Sequence, residues 1–156
     1  MNVGIYNFSL QKRLESLNSA PISDINKNLI FNFVDCCFTE RLSQHRVLKY
    51  ISALKIIALK IQLDFDKIEK RDLFIFISDL ERSNSSQWLK HDYKVALKKF
   101  YKWYCKEDNP ELTKWIKTTV KKKDQKLPED MLSESDVLNL IEQAEHQRDK
   151  AIVALL

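Results

Sequence analysis

Apolar residues recur along the chain three and four positions apart, in blocks separated by short polar breaks. That spacing places them on one face of a helix. A first helix is predicted from Ile5 to Leu17, with Leu10, Leu14 and Leu17 on one stripe. Pro21 and Ser23 then interrupt the pattern, and Ser23 is a good N-cap for a second helix from Asp24 to about Glu40. Its inward positions read as Ile25, Leu29, Phe33, Cys36 and Cys37. Ser43 caps a third helix, reaching about Ile61, with Val47, Ile51, Leu54, Ala58 and Ile61 inward and Gln44, Arg46, Lys49 and Lys55 opposite. Leu73, Phe76, Ile77 and Leu80 mark a fourth helix, although LFIFI alone would also suit a strand. Ser86 caps a fifth.

Beyond the fifth helix, Asn109-Pro110-Glu111 reads as cap, first helical position and first-turn acid of a short helix ending near Ile116. KTTVKKKDQKLPED lacks apolar periodicity and reads as a linker. Ser133-x-x-Asp136 is a capping box in its Asp form, ahead of Val137, Leu138 and Ile141. RDKAIVALL reads as a last helix that stops in mid-pattern at Leu156, so the expectation is a second domain cut short.

Composition points the same way. The 156 residues include one glycine, Gly4, and three prolines. Hairpin turns depend on glycine, so an all-α fold is expected. Apolar residues are 44% of the chain, enough for a core. Cys36, Cys37 and Cys105 form no C-x-x-C pair, and their odd number argues against a disulfide framework; reduced, buried thiols and a cytoplasmic location fit. No window approaches the ~18 apolar residues of a membrane span.

The formal net charge of +4 is unevenly spread. Residues 86–126 hold 12 lysines against 5 acids, whereas 127–156 hold 7 acids against 2 basic residues. Within the basic part, SQWLKHDYKVALKKFYKWYCKE mixes lysines with aromatics. On a helical wheel the two separate. Leu89, Tyr93, Ala96, Leu97, Phe100, Trp103 and Tyr104 take one side, while Gln87, Lys90, His91, Lys94, Lys98 and Lys102 take the other as an outward ridge. Asp92 is the only acid between Ser86 and Lys106, so few pairs along the helix neutralise the ridge. A ridge of this kind is either a solvated face or a phosphate-binding one. Lys121, Lys122, Lys123 and Lys126 add cations in the linker, and Ser43, Gln44, His45, Arg46 and Lys49 add short polar and cationic groups at the start of the third helix. Phosphate contacts and base-edge contacts draw on these residue types.

Catalysis finds little support in the residues. His45, His91 and His146 sit apart without metal-ligand spacing, no glycine-rich phosphate loop exists, and no Ser or Cys has a nucleophile context. Tyr6, Tyr50, Tyr93, Tyr101 and Tyr104 all lie in helical patterns and read as structural. No cofactor, metal or small-molecule substrate is expected.

Four stretches in order resemble the N-terminal half of the tyrosine recombinase family of phage integrases and Xer-type enzymes, especially its archaeal members. RLSQHRVLKYISALK (Arg41–Lys55) is similar to the second helix of the family's core-binding domain, and SSQWLKHDYKVALKKFYKWY (Ser85–Tyr104) to its fourth. KLPEDMLSESDVLNLIEQA (Lys126–Ala144) resembles the opening of the catalytic domain, and QRDKAIVALL (Gln147–Leu156) the helix preceding the first catalytic arginine.

The resemblance implies a SAM-like four-helix core-binding bundle at 23–118, preceded by a helical extension at 1–22. It is followed by a linker at 119–130 and the truncated start of a catalytic domain at 131–156. It implies that the second and fourth helices face the major groove of duplex DNA and that the linker crosses the backbone. The DNA-contacting set would be Ser43, Gln44, His45, Arg46, Lys49, Gln87, Lys90, His91, Lys94, Lys98, Lys121, Lys122, Lys123 and Lys126. The family's catalytic residues would lie beyond Leu156, and Arg148 is not one of them. This chain would be inactive alone, while the full-length family member would act as a tetramer on DNA. Two other readings stay open: a helical protein-interaction module with an acidic partner, and a stand-alone DNA-binding regulator. The duplex-gripping reading depends on Lys90, Lys94 and Lys98 pointing outward without carboxylate partners.

Overall fold

The computed structural model describes residues 10–120 and 132–155. Among these the chain is all-helical, with seven helices and no strand: α1 (Leu10–Asn18), α2 (Asp24–Thr39), α3 (Gln44–Ile61), α4 (Lys70–Arg82), α5 (Gln87–Cys105), α6 (Glu134–Gln143) and α7 (Gln147–Ala154). The chain divides into two compact units after Thr119.

In the first unit α3 is the central helix and packs against α1, α2, α4 and α5. Its buried arc is correspondingly wide: Val47, Leu48, Tyr50, Ile51, Ala53, Leu54, Ile57 and Ala58. α1 belongs to the same core, since Leu17 is fully buried in it and Leu10 and Leu14 pack against it. Aromatic rings fill the centre. Phe33 of α2 meets Phe100 of α5 edge-on at 5.4 Å, and Phe65, after α3, lies 4.8 Å from Phe100. Such pairs add to the stabilisation from area burial.

Polar ties fix the connections. The Ser23 hydroxyl caps α2 by accepting from the Asn26 N–H at 3.2 Å and donates to Asp64 at 2.5 Å. Asn26 is buried and bridges to the segment after α3. Its Nδ2 donates to the Leu63 carbonyl at 2.9 Å and its Oδ1 accepts from the Phe65 N–H at 2.7 Å. The inward stripe of α2 is therefore Asn26, Ile30, Phe33, Val34 and Cys37, one position round from the expected one, and Ile25 is exposed. The two backbone bonds compensate for burying the Asn26 amide. Gln62 and Lys106 close α3 and α5 in the left-handed conformation, a place that glycine would fill in a less glycine-poor chain.

The expected short helix ending near Ile116 is a run of hydrogen-bonded turns instead. Lys114 N–H reaches the Pro110 carbonyl, and Ile116 N–H reaches that of Thr113. One turn is too short to propagate as a helix by itself. The segment is held from outside, with Thr113 and Ile116 buried and Phe74 of α4 5.6 Å from Trp115.

The second unit contains α6 and α7. Ser133 and Asp136 form the expected capping box at the start of α6. Neither helix has a buried side chain, and Leu132, Leu138, Leu140, Ile152 and Leu155 are exposed. The three cysteines are free thiols. Burial raises the Cys37 pKa to about 11. Among the described residues no helix is long and apolar enough to cross a membrane.

Candidate nucleic-acid interface

Of the lysines expected to form an outward ridge on α5, Lys102 is exposed but Lys90, Lys94 and Lys98 are not. Lys90 is 4% exposed, and its Nζ donates to the Glu81 carbonyl at the end of α4, 2.8 Å away. Lys94 pairs with the Glu81 carboxylate. Lys98 donates to the Ile116 carbonyl at 3.4 Å. Lys99 pairs with Glu40, and Lys102 with Asp108 at 2.6 Å. These cations bind α5 to its neighbours. A grip on the duplex resting on Lys90, Lys94 and Lys98 is lost.

Tyr101 explains the shift. It lies outside the expected apolar stripe, yet it is fully buried and donates its hydroxyl to the Phe65 carbonyl at 3.1 Å. Lys98, Lys94 and Lys90 precede it by three, seven and eleven positions, on the same side of the helix. Burying Tyr101 carries all three toward the protein and leaves Leu89 and Tyr104, counted as inward, exposed.

The N-terminal halves of α3 and α5 meet. Lys49 and Asp92 are each the sixth residue of their helix, and their charged groups are 3.6 Å apart. Around this contact Ser43, Gln44, His45, Arg46, Lys49 and Gln87 are exposed. Ser43 occupies the N-cap of α3 with an extended backbone, and its hydroxyl makes no cap bond. The side chains of Gln44, His45, Arg46 and Gln87 have no hydrogen bond or ion pair among the described residues. Ser86, by contrast, is occupied as a cap, accepting from the Leu89 N–H at 3.2 Å. His91 is half-buried: its Nδ1 lies 3.7 Å from Asp92 and forms no hydrogen bond.

Of the expected set, this edge unites Ser43, Gln44, His45, Arg46, Lys49, Gln87 and His91, and separates them from Lys90, Lys94 and Lys98. Lys121, Lys122, Lys123 and Lys126 lie outside the described residues. The edge also gains Trp88, which the sequence reading passed over. It is 56% exposed, with its ring 5.8 Å from that of His91. A large aromatic in the first turn of a capped helix, off the apolar stripe, was the signal available for it.

The edge carries cations, amides, a hydroxyl and an aromatic face. It suits anionic and planar groups better than bond-making chemistry. No cluster of metal-ligating side chains occurs among the described residues. No family model, curated protein or solved structure matches the chain.

Proposed function

We propose that the chain is the DNA-binding N-terminal portion of a site-specific tyrosine recombinase, and that it meets duplex DNA through the first turns of α3 and α5. The recombinase part of this reading rests on the sequence resemblance; with Lys90, Lys94 and Lys98 engaged inside the protein, the duplex-binding part rests on the Lys49–Asp92 contact, which brings α3 and α5 together at an edge with exposed polar side chains. Arg46 and Lys49 supply phosphate contacts, with the Ser43 hydroxyl as a third partner. Gln44 and Gln87 have the paired donor and acceptor needed to read an adenine edge. The linker lysines Lys121, Lys122, Lys123 and Lys126 add further cations in this reading. Lys90, Lys94 and Lys98 take no direct part. The catalytic groups, and assembly as a tetramer, belong to the rest of a full-length enzyme.

Few exposed cations remain on the edge, so binding by this chain is weak, with a salt dependence set by the few phosphates those cations neutralise. The test is fluorescence anisotropy with a labelled duplex of about 30 base pairs at 50 and 200 mM salt. Micromolar binding at the lower salt that falls by about tenfold or more at the higher supports the proposal. Absence of binding at 50 mM salt refutes it.

A further inference from the structure

A groove of about 470 Å³ opens beside this edge, between α1, α3 and α5. Its floor is Leu48, Ala53, Ile56 and Tyr93. The short side chains of Ser52 and Ala53 leave the space. Ser52 turns its hydroxyl back to the Leu48 carbonyl at 2.8 Å, which satisfies it within α3. The floor therefore offers oily surface with little polar demand. Leu89 is 41% exposed at its margin, beside Trp88, which is also solvent-facing. Exposed apolar side chains lining a concave surface mark a place where another apolar surface is received.

The rim fixes the sign of the partner. Arg13 of α1 and Lys49 and His45 of α3 stand around the opening, against one acid, Asp92, which Lys49 already faces. We infer that this groove is a docking site for an acidic amphipathic helix, with its apolar ridge on Leu48, Ala53, Ile56 and Leu89 and its carboxylates beside Arg13 and Lys49. Leucine-type anchors three and four positions apart fit such a groove. A basic helix would meet like charges at Arg13 and Lys49, so the rim selects as well as attracts.

The occupant and a DNA duplex cannot both use Lys49 and His45. The docked helix therefore acts as an antagonist of duplex binding, displacing it without touching Gln87. This exclusion rests on the DNA reading; the docking itself does not.

The test uses the full chain, ¹⁵N-labelled, and two synthetic helical peptides. One presents leucines at i, i+3, i+4 and i+7 with glutamates on its flanks; the other replaces every glutamate with lysine. Titration followed by amide chemical shifts should move Ser52, Ala53, Ile56, Leu89 and Tyr93 with the acidic peptide, and the lysine peptide should bind at least tenfold more weakly. Leu89→Gln and Arg13→Glu should each weaken the acidic peptide by about fivefold or more, with the rest of the spectrum unchanged. Equal binding of the two peptides, shifts centred elsewhere, or no shifts at millimolar peptide overturn the inference. Displacement of a labelled duplex by the acidic peptide is read separately, so a failure of duplex binding leaves the groove result standing.

Discussion

The Nζ of Lys90 donates to the main-chain carbonyl of Glu81 across 2.8 Å, and the carboxylate of the same Glu81 receives Lys94. Two successive turns of α5 thus hold the C-terminal turn of α4. The ammonium of Lys90 also faces the negative end of that helix, where a cation is favoured. Lys90→Ala would remove the donor and leave a void, lowering stability by about 1–3 kcal/mol, measurable by urea unfolding. A loss below a few tenths of that range would show that the bond contributes nothing.

Duplex binding should follow the edge and not the former ridge. Arg46→Ala combined with Lys49→Ala is expected to weaken binding and to lower the steepness of its salt dependence by about 1–2 phosphate equivalents. Lys98→Ala should leave that steepness unchanged, because Lys98 already serves the Ile116 carbonyl. The opposite ranking would return the site to α5.

Asn26 joins the start of α2 to the segment after α3 through two backbone partners. Asn26→Leu keeps much of the volume but strands the Phe65 N–H and the Leu63 carbonyl. The expected cost is about 2–4 kcal/mol by chemical denaturation. Asn26→Asp should also destabilise, since a carboxylate cannot donate to Leu63. A neutral outcome for Asn26→Leu would mean that the segment re-pairs elsewhere.

Tyr101, Tyr93 and Tyr50 are buried enough that desolvation pushes their phenols above the usual tyrosine pKa. Their folded-state values are raised, so the stability they confer is complete below pH ~10, where the unfolded chain also keeps its protons. It is lost as pH climbs past that point, because the unfolded chain ionises first. Tyr101→Phe should cost about 1 kcal/mol at neutral pH, for the Phe65 bond, and flatten the fall in stability between pH 9 and 11. Thermal unfolding across that range measures both, and an unaltered alkaline profile would clear Tyr101 of the effect.

The caps made the helices readable from sequence. Ser23, Ser43, Ser86 and Ser133 each precede a helix as expected, and the ends of α2 and α3 fall within a residue of the periodicity. Which arc of each helix faces inward was harder to read, because a wheel ranks residues by type and not by available partners. Asn26 is buried because two backbone groups wait for its amide, and Ile25 yields the place to it. Lys90 is buried because the Glu81 carbonyl accepts its charge. Tyr101 is buried with its hydroxyl donated to the Phe65 carbonyl, a partner that a wheel does not show. The candidate edge was legible at α3, where Ser43, Gln44, His45, Arg46 and Lys49 are exposed as the pattern implies. At α5 it was legible only in Gln87 and His91. The groove was not legible at all, since a gap between three helices depends on side-chain sizes that meet only after folding.

The pairing of α6 with α7 has a consequence for solvent exchange. With no side chain fully buried in either helix, their amides should trade for deuterium in seconds to minutes, whereas those of Ile51, Leu54 and Ile57 should hold for far longer. Mass-resolved labelling would then divide the chain into a quickly exchanging end and a slow body. Any surface that later covers Leu138 and Ile152 would announce itself as newly acquired protection there.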